Sequence, residues 1–263
     1  MNIDLSGKNA LVTASTAGIG WSIAAGLAAS GANVILNGRK PEVVQAAVEK
    51  LRRELHGANV EGVAADLSTA KGVQGVIDAV PSLDILVNNA GIFGPEPFFD
   101  VDDATWERYF QTNVMSGVRL SRYYMQGMLQ RNWGRVVFIS SESGLNIPAD
   151  MIHYGVSKTA QIALANGLAK LAAGSGVTVN SVLPGPTLSD GFREMVREQH
   201  EREGTSYEEI GNDFVRKERA TSIIQRISST EEIANMVVYV CSPQASATTG
   251  VALRVDGGVV NTW

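Results

Sequence analysis

Tyr154 and Lys158 stand four residues apart in the segment HYGVSK. On an α-helix that spacing puts both side chains on one face, with the ammonium beside the phenol. The chemistry this allows is proton transfer. A free tyrosine titrates near 10, too high for a base at neutrality, and each unit removed requires about 1.4 kcal/mol of preferential phenolate stabilisation. A neighbouring cation contributes to that stabilisation. The same pair also occurs on ordinary exposed helices, so its meaning depends on where the fold places it.

A second group of residues points to anion binding. The stretch LVTASTAGIG, residues 11–20, is an apolar strand running into Gly18, Ile19 and Gly20 at a helix start. Backbone N–H groups and the positive end of the helix dipole converge there, which favours a pyrophosphate. Glycine at such a junction also serves packing alone. Ala14 stands where a phosphate-cradling loop usually has its first glycine. At positive φ the alanine strains the turn by about 1 kcal/mol or more; at ordinary φ its methyl only crowds the cofactor; in either case Ala14→Gly is expected to tighten NADPH binding. About 20 residues past the glycines, a dinucleotide-binding unit reads the ribose 2′ position. Here the chain offers Asn37, Arg39 and Lys40 in NGRK, with no acid to accept from a 2′-hydroxyl. Arginine pairs with a 2′-phosphate through two N–H groups. These residues predict NADP over NAD; NAD remains open if the basic pair is an ordinary solvated turn ahead of Pro41.

Both groups need elements to hold them. Seven short β-branched apolar runs recur along the chain, at 9–13, 33–37, 59–65, 84–88, 135–140, 177–183 and 251–255, with helical segments between them. Strands alternating with helices imply a parallel sheet covered on both faces, and the weak apolar/polar alternation within the runs agrees. The expectation is a seven-stranded, doubly wound α/β fold of the Rossmann type, forming one domain over residues 1–263. Pro41 suits the first turn of a helix. Ser206 with Glu209, and Ser229 with Glu232, have capping-box spacing at two further helix starts. The long connection at 188–228 departs from the alternation. Phe192, Met195, Val196 and Gln199 fall at helical spacing, as do Tyr207, Ile210, Phe214 and Val215, which predicts two amphipathic lid helices; a surface excursion or subunit contact is the other reading.

Bulk properties narrow the partners. The 263 residues carry a formal net charge of -5, offering no basic field for a nucleic acid. No run approaches the roughly 18 apolar residues of a membrane-spanning helix, and the start MNIDLSGKNA lacks a secretory signal, so a soluble cytoplasmic protein acting on a small molecule is expected. Cys241 has no partner for a disulfide and reads as a buried small hydrophobe. His56 and His200 lack companions at metal-ligand spacing, so no metal site is indicated. His153 lies about 100° around the helix from Tyr154 and reads as structural or as part of a pocket rim.

Taken together, TASTAGIG at 13–20, NNAG at 88–91, Asn113 in QTNVMSG, ISSESG at 139–144, YGVSK at 154–158, LPGPT at 183–187 and VDGG at 255–258 resemble, in that order, the motifs of the short-chain dehydrogenase/reductase family. The resemblance runs from Lys8 to about Gly258. It implies an oxidoreductase moving hydride between nicotinamide and a ketone/secondary alcohol pair. Tyr154 would be the general acid/base, Lys158 the residue that holds the nicotinamide ribose and lowers the tyrosine pKa, Ser141 the hydroxyl that polarises the substrate oxygen, and Asn113 the anchor of a proton-relay water. Cofactor contacts would come from Thr13, Ala14, Ser15, Thr16, Gly18, Ile19 and Gly20, from Asn37 and Arg39, and from Asp66 and Leu67 at the adenine. Asn89, Ala90 and Gly91 would close the adenine and ribose pocket, and Pro184, Gly185 and Thr187 would meet the nicotinamide amide. Phe93, Phe98, Phe99, Ile147, Met151, Phe192 and Met195 are candidates for a substrate pocket. The resemblance also suggests a homotetramer through the helices holding Asn113 and Tyr154, and Trp263 is a candidate subunit contact. The alternative, motivated by Ala14, is a sensor or scaffold that binds dinucleotide without turnover. Replacing Arg39 with Asp is expected to invert the ratio of kcat/KM for NADPH to that for NADH; an unchanged ratio refutes the cofactor assignment.

Overall fold

The structure is a computed structural model that describes residues 2–261; the expectation for Trp263 lies outside the described residues. Seven strands, β1 (Asn9–Val12), β2 (Asn33–Gly38), β3 (Val60–Ala64), β4 (Ile85–Asn88), β5 (Gly134–Ile139), β6 (Val177–Pro184) and β7 (Ala252–Val255), form one parallel sheet in the order β3-β2-β1-β4-β5-β6-β7. Each falls on one of the seven apolar runs. Successive side chains in a strand point to opposite faces, and here both faces are buried. Ala10 and Val12 enter one core with Ile23 and Leu27 of α1 (Gly18–Ala29), Val48 of α2 (Pro41–Glu54) and Val237 of α10 (Thr230–Cys241). Leu11, between them, enters the other core with Val76 of α3 (Ala70–Ala79), Leu120 and Met128 of α5 (Ser116–Gln130) and Ala165 of α6 (Ile152–Leu171). The arrangement is doubly wound, with strand order reversing between β1 and β4, and ligands of such sheets sit at the carboxyl ends beside that reversal.

Local signals place the helix ends where the residues require. Pro41 occupies the first turn of α2, and both capping boxes close, Ser206 with Glu209 at α9 (Tyr207–Glu218) and Ser229 with Glu232 at α10. Between α4 (Asp103–Tyr109) and α5 the helix widens into a π-helical turn over Phe110–Met115, which carries Asn113. Such turns displace the backbone of a continuous helix and recur at functional sites.

The connection at 188–228 contains three helices rather than the two expected. α7 (Asp190–Met195) and α8 (Arg197–Glu203) are separated at Val196, whose φ of -105° and ψ of 12° leave the helical region. The physical reason is a change of environment. Phe192 and Val196 belong to a small core with Val215 and Ile227, whereas α8, sequence REQHERE, has no buried residue. Breaking the helix lets one half pack and the other face water. The neck of the excursion is closed by a bridge between Thr187 and Ser228, with Leu188 donating to the Ser228 carbonyl at 2.8 Å. No helix among the described residues is long and apolar enough to cross a membrane.

Ala14 adopts φ 49°, in the left-handed region. Its N–H donates to Asn37 Oδ1 at 3.2 Å, which helps hold the turn in place. The free chain therefore already carries the strain, so relieving it changes folding stability equally with and without a ligand. Ala14→Gly is expected to raise the melting temperature by about 2 °C, because roughly 1 kcal/mol of relief is partly offset by glycine's greater freedom when unfolded; a lower melting temperature would contradict the strain argument.

Candidate active site

A cavity of about 670 Å³ opens at the carboxyl ends of the strands. Tyr154 and Lys158 reach it from α6, one turn apart on one face. Lys158 Nζ donates to the Ile139 carbonyl at 2.9 Å, at the last residue of β5, and lies 5.6 Å from the centre of the Tyr154 ring. Ser141 follows β5 in an extended conformation and hydrogen-bonds the Tyr154 hydroxyl. Its Oγ also accepts from the Ser143 N–H at 3.1 Å. The close approach of this turn to α6 depends on Gly144, where an added Cβ would sit 3.0 Å from the Lys158 backbone. Phe93 packs its ring at 60° against that of Tyr154, with centres 6.4 Å apart.

Burial acts on both members of the pair. Desolvation pushes the Tyr154 phenol up to about 12; the Ser141 hydrogen bond opposes the rise and the nearby Glu142 carboxylate adds to it. Desolvation likewise pushes Lys158 down to about 7. In the chain by itself the phenol is thus held protonated, and Lys158 is not among the groups that act on it. A buried lysine that has lost part of its charge offers the phenolate little attraction. The geometry expected from the sequence is nevertheless present: the two groups face one cavity.

The glycine turn forms the other end of that cavity, where Ala14, Gly18, Ile19 and Gly20 line the wall with Asn89, Gly91, Pro184, Gly185 and Thr187. An added Cβ on Gly20 would lie 2.5 Å from the Ala14 carbonyl oxygen and from Asn89 Nδ2, so no larger residue fits there. Ala17 caps α1 without a side-chain acceptor, and the first turn of α1 holds no acid. Instead, Asp190, the first residue of α7, places Oδ2 2.6 Å from the Gly18 N–H. A carboxylate already rests on the turn, so these backbone groups fit an anion such as a dinucleotide pyrophosphate.

The remaining expected site residues stand outside the cavity wall, and several of them brace it. Thr13 Oγ1 accepts from the N–H groups of Asn89 and Ala90, both at 2.8 Å. Ser15 Oγ donates to the Val12 carbonyl, and the Thr16 methyl packs over Gly38. Asn37 is buried with its amide committed: Oδ1 to Ala14, and Nδ2 to the carbonyls of Val63 and Ala65. It therefore braces the turn, while Arg39 is exposed just past β2. Asp66 accepts from Ser68, and Leu67 enters the core beside α3. Asn113 is fully buried and clasps Ile92 through both of its amide groups, at 2.8 and 3.0 Å, while Nδ2 also donates to Ser157 Oγ.

Three residues that bear on the site were not singled out in the sequence: Asp190, Glu142 and Arg219. Asp190 follows the helix-capping Ser189, a local signal for α7, but its seat on Gly18 spans 172 positions. Glu142 and Arg219 form a part-buried ion pair at 3.0 Å across 77 positions, and both line the cavity. His153, in the first turn of α6, is buried and packs edge-on to Tyr109 of α4, with ring centres 4.3 Å apart. Cys241 is buried, and desolvation pushes its thiol up to about 12.

A profile described as short chain dehydrogenase matches residues 8–200, and the chain belongs to this family of oxidoreductases. It is 45% identical over 260 residues to the uncharacterized oxidoreductase YvaG of Bacillus subtilis (strain 168), covering 99% of this chain and 98% of that one. It is 34% identical to the 3-oxoacyl-[acyl-carrier-protein] reductase FabG of Aquifex aeolicus (strain VF5), covering 98% and 100%. The crystal structure of L-sorbose reductase from Gluconobacter frateurii, complexed with NADPH and L-sorbose, superposes with a TM-score of 0.93 over all of both chains at 31% identity.

If the Asp190 carboxylate competes with phosphate for the Gly18 N–H, removing it strengthens dinucleotide binding. Asp190→Ala is expected to lower the Kd for NADPH about 3- to 10-fold, up to 1.4 kcal/mol, in a fluorescence titration; a raised Kd would mean that Asp190 supports the bound state instead.

Proposed function

We propose that this chain is an NADP-preferring enzyme that interconverts a ketone and a secondary alcohol. The observation that carries the reading is the meeting of Ser141, Tyr154 and Lys158 with the glycine turn in one cavity. The turn and the α1 N-terminus would hold the pyrophosphate, Lys158 the ribose next to nicotinamide, and Pro184, Gly185 and Thr187 the nicotinamide amide. Arg39, exposed past β2, is the group available to a 2′-phosphate. The bound nicotinamide supplies or accepts the hydride.

Ser141 and Tyr154 would hydrogen-bond the substrate oxygen, stabilising the negative charge that develops on it. Tyr154, which burial keeps protonated, is suited to deliver the proton in the reducing direction. Lys158 is fixed by the Ile139 carbonyl, with its Nζ 5.6 Å from the centre of the Tyr154 ring. Asn113, through Ile92, steadies the segment beside Gly91 that faces Lys158. A cytoplasmic location and a homotetramer built through α5 and α6 belong to the same proposal; exposed Tyr123, Val156 and Leu171 on those helices support the assembly.

Turnover with NADPH and NADH across a panel of ketones and secondary alcohols tests the reading. Tyr154→Phe is expected to abolish turnover while NADPH still binds. Retention of a tenth of the wild-type kcat would remove Tyr154 from its role, and a wild-type chain that binds NADPH but turns over nothing would be a sensor.

A further inference from the structure

Gln161 is a buried amide that the hydride-transfer scheme leaves unused. It lies on α6 three residues past Lys158 and seven past Tyr154, so the three side chains share one stripe of the helix. Its Nε2 donates to the main-chain carbonyl of Asn113 at 2.6 Å, across 48 positions. That carbonyl belongs to the π-helical turn, where the Ser116 N–H reaches back five residues to Gln111 rather than four. Passing from the wide spacing to the ordinary one disturbs the carbonyl ladder. Two carbonyls of the turn take side-chain donors, Thr112 from Ser116 Oγ at 2.5 Å and Asn113 from Gln161. The Asn113 side chain is tied to α6 as well. Its Nδ2 donates to Ser157 Oγ at 2.9 Å, and the Ser157 hydroxyl donates to the Tyr154 carbonyl at 2.6 Å.

We propose that Gln161 is a positioning residue of the active site, acting on Lys158 and Tyr154 through Asn113. Its effect on rate rests on the oxidoreductase reading; its effect on the placing of Asn113 does not. The path is short. Asn113 Oδ1 accepts from the Ile92 N–H at 2.8 Å, and a Cβ built on neighbouring Gly91 would lie 3.4 Å from that oxygen and 3.3 Å from Lys158 Nζ. A shift of the Asn113 backbone therefore moves the segment beside Lys158 Nζ and pulls on the Ser157 tie to the residue that bears the phenol. Rate responds steeply to such shifts, because reacting groups must be held to within a fraction of an ångström. Stability responds less. The other amide atom, Oε1, is buried without a hydrogen-bond partner among the described residues, a cost that an apolar side chain of similar size does not carry. What the amide contributes is the placing of Asn113 rather than folding free energy.

The test compares the wild type with Gln161→Met, which keeps the length and loses the donor, and with Gln161→Glu, which donates only while its carboxyl is protonated. Turnover across the ketone and alcohol panel is measured beside melting temperature, the Kd for NADPH and hydrogen exchange of the Ile92 amide. In Gln161→Met, kcat is expected to fall at least tenfold, with KM and the Kd for NADPH within threefold and the melting temperature within about 5 °C; a smaller fall in kcat overturns the proposal. The Ile92 amide, whose acceptor is Asn113 Oδ1, is expected to exchange at least tenfold faster while amides in the middle of α6 keep wild-type rates. A larger loss of melting temperature with faster exchange throughout α6 marks a fold-wide role and overturns it too. Gln161→Glu is expected to recover most of the lost rate at low pH, where the acid donates to the Asn113 carbonyl, and to lose it wherever the carboxyl ionises and repels that carbonyl. Equal rates for the two variants at every pH overturn the donor role. If Gln161→Met misfolds, Gln161→Glu, which keeps the shape of the amide, carries the same readings above and below its titration. If the wild type turns over no compound, the oxidoreductase reading fails separately and Ile92 exchange decides: tenfold faster exchange confined to that segment supports the placing of Asn113 by Gln161, and unchanged exchange overturns it.

Discussion

Burial of both faces of a parallel sheet is the constraint on which the molecule depends. The inner strands place alternate side chains into two cores, as Ala10, Leu11 and Val12 do. Every return to the next parallel strand then requires a helix across one face. The carboxyl ends of all seven strands consequently emerge on one rim. Residues far apart in the chain, such as Gly18, Ser141 and Thr187, reach one cavity because each belongs to a segment that leaves its strand at that rim.

What was legible in the sequence follows from how local each signal is. The strands were readable because β-branched runs buried on both faces differ in composition from the helices between them. Pro41 and the two Ser/Glu capping boxes act within three or four residues, so they marked helix starts directly. The break at Val196 was not readable, since it depends on a small core completed by Val215 and Ile227 from later in the chain. The π-helical turn carrying Asn113 has no residue signal of its own. Asn37 illustrates the same limit at the site: its type suggested a role toward ribose, but its amide is bound to β3 and to the glycine turn.

The Tyr154 and Lys158 pair separates geometry from energetics. Spacing of four residues was enough to put both on one wall of a cavity. It carried no information about desolvation, which raises the phenol and lowers the ammonium. The site as folded therefore favours a proton held on tyrosine. Glu142 reinforces this bias, since a carboxylate near the phenol also disfavours its ionisation.

The bridge between Thr187 and Ser228 gathers both ends of a forty-residue excursion at one point beside the cavity. The three helices beyond it, α7 to α9, are joined to the sheet as a cassette is joined to its holder. Sequence drift within that cassette can reshape the wall around a substrate while the strands and the glycine turn keep their register. Transplanting residues 188–227 between related chains offers a route to new specificity without redesign of the core.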